Sequence, residues 1–207
     1  MLDGYYKHHI DRFWDFLARV LVIVGLSANQ VTWLGLILVS ANCGAYIMHH
    51  NPLIFGIGLA LTLAFDALDG AVARLTHSTT LYGGYLDAIV DRYQEILLFS
   101  SIAFVTGYWA ESFFALSASL LISYNKARVA LEIPIDNIKW PDLLERLERV
   151  IIICLSLILE PLINLPGTDK GTLYVGIIMI IVLGHVTAVQ RFLRARRRLL
   201  QADEQLT

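Results

Sequence analysis

The chain has 207 residues, 57% hydrophobic and 16% charged, with a formal net charge of −2 and a mean hydropathy of +0.61. Soluble domains carry roughly 25% charged residues, so this chain lacks the polar surface of a soluble enzyme and is too apolar for disorder. Sixteen basic residues against 18 acidic ones also exclude the general basic excess of a nucleic-acid binder.

Residues 5–26 come first in chain order. Lys7, Asp11, Arg12, Asp15 and Arg19 alternate at helical spacing with Ile10, Phe13, Trp14, Leu17 and Leu21. The pattern predicts a helix lying in the membrane interface, apolar side in lipid and charged side in water, and its charges interrupt any signal-peptide core. A bilayer core of ~30 Å needs roughly 20 mostly apolar residues in a helix. Six stretches qualify, at about 31–48, 53–73, 83–106, 110–130, 148–165 and 172–192. The expected fold is an all-α integral membrane protein with six transmembrane helices and an N-terminal interfacial amphipathic helix. Its expected parts are that helix (1–25), one membrane domain (26–193) and a basic then polar tail (194–207). Cys43 and Cys154 fall far apart in apolar runs and read as packing residues.

Basic residues set the orientation. Fourteen of the 16 lie in the N-terminal segment, the second and fourth connections and the tail, while Lys170 stands alone on the other side and Arg92 lies within a span. Positive charge marks the cytoplasmic side, which places both termini there, in a cell or inner membrane.

The second and third spans carry acids that lipid should exclude. Asp66 and Asp69 are three apart, and Asp87 and Asp91 four apart, spacings that share a helix face. Each charge within a span costs ~2.5–3.5 kcal/mol even on the lenient scale, so four acids near one membrane surface read as functional. Two divalent cations would balance them, and all-oxygen ligands favour Mg²⁺, Mn²⁺ or Ca²⁺ over zinc. Paired metals suit phosphoryl chemistry. Arg74 suits a diphosphate, and Gly70 and Gly83 leave backbone bare for a close ligand. Intramembrane acids also mark ion paths, but a transporter would string them through the bilayer depth, and these cluster.

The run Asp66-x2-Asp69-Gly70-x2-Ala73-Arg74-x8-Gly83-x3-Asp87-x3-Asp91 matches the signature of the CDP-alcohol phosphotransferases, and on it the chain resembles that family. The resemblance extends to the interfacial helix, to Asn29-x-x-Thr32 at the start of the first span, and to six spans. It implies a phosphatidyltransferase using CDP-diacylglycerol, embedded among membrane lipids as a homodimer, with two Mg²⁺ or Mn²⁺ ions. It implies metal ligands at Asp66, Asp69 and Asp87 with Asp91 close by, and Asp91 as the base that deprotonates the acceptor hydroxyl. It further implies CDP binding by Asn29, Thr32, Asp66, Gly70, Arg74, Thr80 and Gly83.

The acceptor is read from the fourth connection. Ser123-Tyr124-Asn125-Lys126-Ala127-Arg128, followed by Glu145-Arg146-Leu147-Glu148-Arg149, resembles the branch that joins CDP-diacylglycerol to inositol phosphate. That likeness assigns Lys126, Arg128, Arg149 and Arg191 to the phosphate of a small polar acceptor. Leu147 stands where that branch usually has proline, and the loop Glu132–Leu144 is longer. Glycerol 3-phosphate is the next candidate, then serine, inositol or choline. Glu95, one turn after Asp91, is expected either on the same inner face or in a structural hydrogen bond, and Arg92 is expected to reach Asp69 or Glu95, or to snorkel.

Overall fold

The computed structural model describes residues 16–66, 68–133, 143–163 and 170–206. The charged first half of the expected amphipathic helix (Lys7 to Asp15) lies outside the described residues, as do Pro134, Lys139 and Pro141 of the long loop. All regular structure among the described residues is helical. Residues 16–23 are helical and lead into α1 (Ala28–His49), α2 (Pro52–Asp66), α3 (Leu68–Leu75), α4 (Leu81–Thr106), α5 (Trp109–Val129), α6 (Arg146–Leu159) and α7 (Thr172–Leu206).

Local chemistry explains where several helices begin. Ser27 and Gln30 form a reciprocal cap at α1, with Ser27 N donating to Gln30 Oε1 at 2.9 Å and Gln30 N to Ser27 Oγ at 3.4 Å. Asn51 Oδ1 accepts from Ile54 N at 3.2 Å, and Pro52 fills the first position of α2, where its missing N–H costs nothing. Thr80 Oγ1 accepts from Gly83 N at 3.0 Å and caps α4. Glu145 and Glu148 close a capping box on α6. Gly107, at φ +77°, makes the turn from α4 to α5.

Three helical segments among the described residues are long and apolar enough to cross a membrane: Ala28–His49, Pro52–Leu75 and Thr172–Glu204. α4 and α5 have 26 and 21 residues, sufficient in length, but carry charges near one end. The stretch expected over 148–165 is helical only to Leu159, because a turn follows at Glu160 and Pro161. Large apolar side chains face outward along several helices, among them Ile37, Leu61, Phe104, Phe113 and Val182. In water such surface would drive association; it suits lipid.

The chain divides into two compact units. One comprises residues up to Ala45 plus Gly58–Leu98, and the other Tyr46–Ile57 plus the chain from Phe99 onward. In the first, Ala18, Val31, Leu68, Ala71 and Val72 are buried together, with Leu17, Leu21 and Phe65 packed against them. Leu17 and Leu21, expected to face lipid, therefore face protein; Phe16, Val20 and Ile23 are the exposed side chains of that segment. In the second unit, α5 and α6 both pack against α7. Small residues allow that approach: a Cβ on Gly184 would lie 2.9 Å from Ala118 Cβ. The expected tail, 194–207, continues α7 as helix through Leu206.

Candidate active site

The first unit assembles the acids. Asp66 ends α2, Asp69 sits in the first turn of α3, and Asp87 and Asp91 lie one turn apart on α4. One carboxylate oxygen from each of Asp66, Asp87 and Asp91 lies within 4.8 Å of the others. Three anions at that separation repel strongly unless a cation joins them. Their donor set is all oxygen, which fits a hard divalent ion such as Mg²⁺ or Mn²⁺.

Asp69 is held differently from the other three. Its Oδ2 accepts from Thr32 Oγ1 at 2.6 Å, and its Oδ1 accepts from the Gly70 amide. The sequence-predicted quartet thus divides into a cluster of three and a fourth acid tied to α1 and to its own helix.

Beside these acids is a cavity of about 300 Å³. Asn29, Thr32, Asp69, Gly70, Arg74, Thr80, Gly83 and Asp87 line it. The first turns of α1 and α4 both contribute to this wall, so two helix N-termini border one space. That arrangement is suited to an anion such as a diphosphate. Arg74 makes no ion pair among the described residues. A Cβ on Gly83 would lie 3.1 Å from Thr80 Oγ1 and 3.2 Å from Asn29 Oδ1, so any larger side chain would crowd the wall.

Deeper in the unit, Gln94 Nε2 donates to Asp66 Oδ1 at 2.9 Å, and both side chains are buried. A Cβ on Gly35 would lie 2.8 Å from the same oxygen. Neither residue belongs to the signature run; the one sequence cue is that Gln94 follows Asp91 by three residues, a spacing that shares a helix face. Arg92 meets Asp91 at 3.4 Å and Glu95 at 3.6 Å. It therefore reaches Glu95 as expected and Asp91 in place of Asp69, since it is adjacent to Asp91 on α4. Ser78, Thr79 and Gly84 also line the cavity and were not anticipated.

The predicted acceptor residues belong to the second unit. Arg128 pairs with Glu132 at 2.6 Å on an exposed surface. Arg149 and Arg191 are both 5% exposed. Arg149 Nη1 donates to the Leu144 carbonyl at 3.5 Å, and Arg191 Nη1 to the Ile122 carbonyl. Asn125 Nδ2 donates to the Ala188 carbonyl at 3.3 Å, so the C-terminal part of α5 is tied to α7 twice. Lys126 lies in the last turn of α5. Each of the three arginines has its own protein partner.

A family model described as CDP-alcohol phosphatidyltransferase matches residues 25–197. The chain is 30% identical to the archaetidylinositol phosphate synthase of Pyrococcus horikoshii, over 88% of this chain and 90% of that one. It is 29% identical to the phosphatidylinositol phosphate synthase of Streptomyces avermitilis, over 98% and 86%. A crystal structure of the Mycobacterium tuberculosis phosphatidylinositol phosphate synthase with CDP-DAG bound superposes with a TM-score of 0.77. Identity there is 27%, covering 89% of this chain and 94% of that one. The same enzyme in complex with manganese and citrate gives 0.76 at 28% identity, covering 88% of each chain.

Proposed function

Since the chain belongs to the CDP-alcohol phosphatidyltransferase family, and is thus an integral membrane enzyme of phospholipid synthesis, we propose that it makes a phosphatidylinositol phosphate. In this reading it transfers the phosphatidyl group of CDP-diacylglycerol to a hydroxyl of inositol phosphate and releases CMP. The observation that carries the reading is the convergence of Asp66, Asp87 and Asp91 beside a cavity bordered by Arg74 and the first turns of α1 and α4.

The residues then divide the work. Arg74 holds the diphosphate as a bidentate donor, while Thr80 and the bare backbone at Gly70 and Gly83 let the CDP group approach the wall with Asn29. Thr32 holds Asp69 in place. Asp66, Asp69, Asp87 and Asp91 would hold two divalent cations, Mg²⁺ or Mn²⁺, which supply charge neutralisation at the diphosphate oxygens. Asp91 takes the proton of the acceptor hydroxyl. The acceptor oxygen then bonds to the phosphorus bearing the lipid, and the bond from that phosphorus to CMP breaks. We assign the acceptor's phosphate to Lys126, Arg128, Arg149 and Arg191 on the strength of their sequence motif. The names of the relatives, two of them synthases of inositol phosphate lipids, support the acceptor, and the manganese complex supports the metal. We assign the enzyme to homodimers with the site facing the cytoplasm.

Purified enzyme with CDP-diacylglycerol and a panel of acceptors tests the reading: inositol phosphate, glycerol 3-phosphate, serine, inositol and choline, with the lipid product identified by mass. Only inositol phosphate should give CMP release at a substantial rate, and excess chelator should abolish it. Asp91→Asn should lower kcat by roughly 10²–10⁴-fold, the usual contribution of a positioned base. Lys126→Ala should raise the KM for the acceptor more than that for CDP-diacylglycerol. Preference for a non-phosphorylated acceptor would overturn the assignment of the basic residues.

A further inference from the structure

We infer that Gln94 and Gly35 form a socket that fixes the carboxylate of Asp66, making both of them positioning residues for the cation site. The inference rests on the proposed role of Asp66 as a metal ligand and concerns residues outside the family signature.

Asp66 is 3% exposed, and a carboxylate at that depth must be matched by donors. Gln94 is 2% exposed and donates from Nε2 to Asp66 Oδ1 at 2.9 Å. It follows Asp87 by seven residues and Asp91 by three on α4, so it stands on the same face as both. One helix therefore presents two of the clustered carboxylates and, a turn further on, an amide aimed at the third. The choice of an amide has a physical logic. A lysine or arginine would cancel the charge that attracts a cation, and a glutamate would add repulsion. A neutral donor orients the anion and leaves its charge in place.

Gly35 closes the socket from α1. A side chain there would put Cβ 2.8 Å from the same Oδ1, closer than carbon and oxygen approach without bonding. Any residue but glycine must displace the carboxylate or the helix. Two elements distant in sequence thus bear on one oxygen, and Asp66 is left with little rotational freedom. Groups that hold a ligand from behind typically contribute 10–100-fold to metal affinity or activity.

The test uses the full-length protein purified in detergent, titrated with Mn²⁺ alone and followed by the electron paramagnetic resonance of the free ion. Gln94→Met keeps length and flexibility but removes the donor; Gly35→Ala adds only the intruding methyl group. Both should bind Mn²⁺ about 10–100-fold more weakly than the parent. At saturating Mn²⁺ the KM for CDP-diacylglycerol should stay within about threefold of the parent, a split that general loosening would not give. A Gln94→Met protein that melts like the parent and binds Mn²⁺ with parental affinity overturns the inference. Should that variant not fold, Gly35→Ala decides on the same criterion. A parent protein that binds no Mn²⁺ overturns the cation reading itself, and the inference with it.

Discussion

Thr32 shows what a single hydroxyl contributes to this site. It sits at the cavity wall, where the family resemblance makes it a CDP residue, yet its Oγ1 bonds Asp69 Oδ2 at 2.6 Å. A hydrogen bond to a charged group contributes about 1.5–3 kcal/mol, and each 1.36 kcal/mol is tenfold in rate. Thr32→Val preserves shape and removes the donor, so CMP release should fall by roughly 10–100-fold on those two scales. Thr32→Ser keeps the hydroxyl and should retain most activity. A valine variant with parental turnover would show that Asp69 needs no such support. The grouping of Asp66, Asp87 and Asp91 was the legible part, because one helical turn is a fixed distance. The contacts that orient the acids were not: Thr32 and Asp69 are 37 residues apart, and Asp66 and Gln94 are 28 apart. No local pattern encodes which residues on neighbouring helices will meet.

The helices themselves were the easier inference, and their ends the harder one. Apolar runs marked every long helix, but α6 stops at Leu159 and α7 runs on to Leu206. Hydropathy detects lipid contact, whereas a helix continues as long as its backbone bonds and propensities allow. Arg194, Arg196, Arg197 and Arg198 are good helix formers and do not end one. Packing between helices follows the same distinction between surface and shape. Gly184 and Gly44 look alike in sequence, each a glycine within an apolar helix. A Cβ at Gly184 would meet Ala118 Cβ at 2.9 Å, while one at Gly44 would meet nothing within 4 Å. Gly184→Val should therefore lower stability by about 1–3 kcal/mol through overpacking. Gly44→Ala should raise it by roughly 0.5–1 kcal/mol, the entropy a helical glycine forfeits. Thermal unfolding of both variants in detergent checks the pair: apparent Tm should move in opposite directions.

At the scale of the whole molecule, charge rather than hydropathy decides which way the enzyme faces. One helix provides the measure. From Thr172 to Arg197, α7 rises about 38 Å at 1.5 Å per residue, more than the ~30 Å of a bilayer core. Its start follows Lys170, whose ammonium lies 3.8 Å from the Tyr174 ring centre and 4.9 Å from that of Tyr108. Tyrosines of this kind anchor at the membrane interface. Its end carries the densest cluster of arginines in the chain, and such clusters stay on the cytoplasmic side. The turn between α3 and α4, which lines the cavity with Ser78, Thr79 and Thr80, is preceded by Arg74 and should face the same way. Single cysteines read this directly, because the native Cys43 and Cys154 are both buried. A membrane-impermeant maleimide added to intact cells should label Lys170→Cys at once. Thr79→Cys and Arg197→Cys should react only after the membrane is opened. That pattern would mean that the cavity opens to the cytoplasm, and labelling of Thr79→Cys from outside would place it on the opposite face.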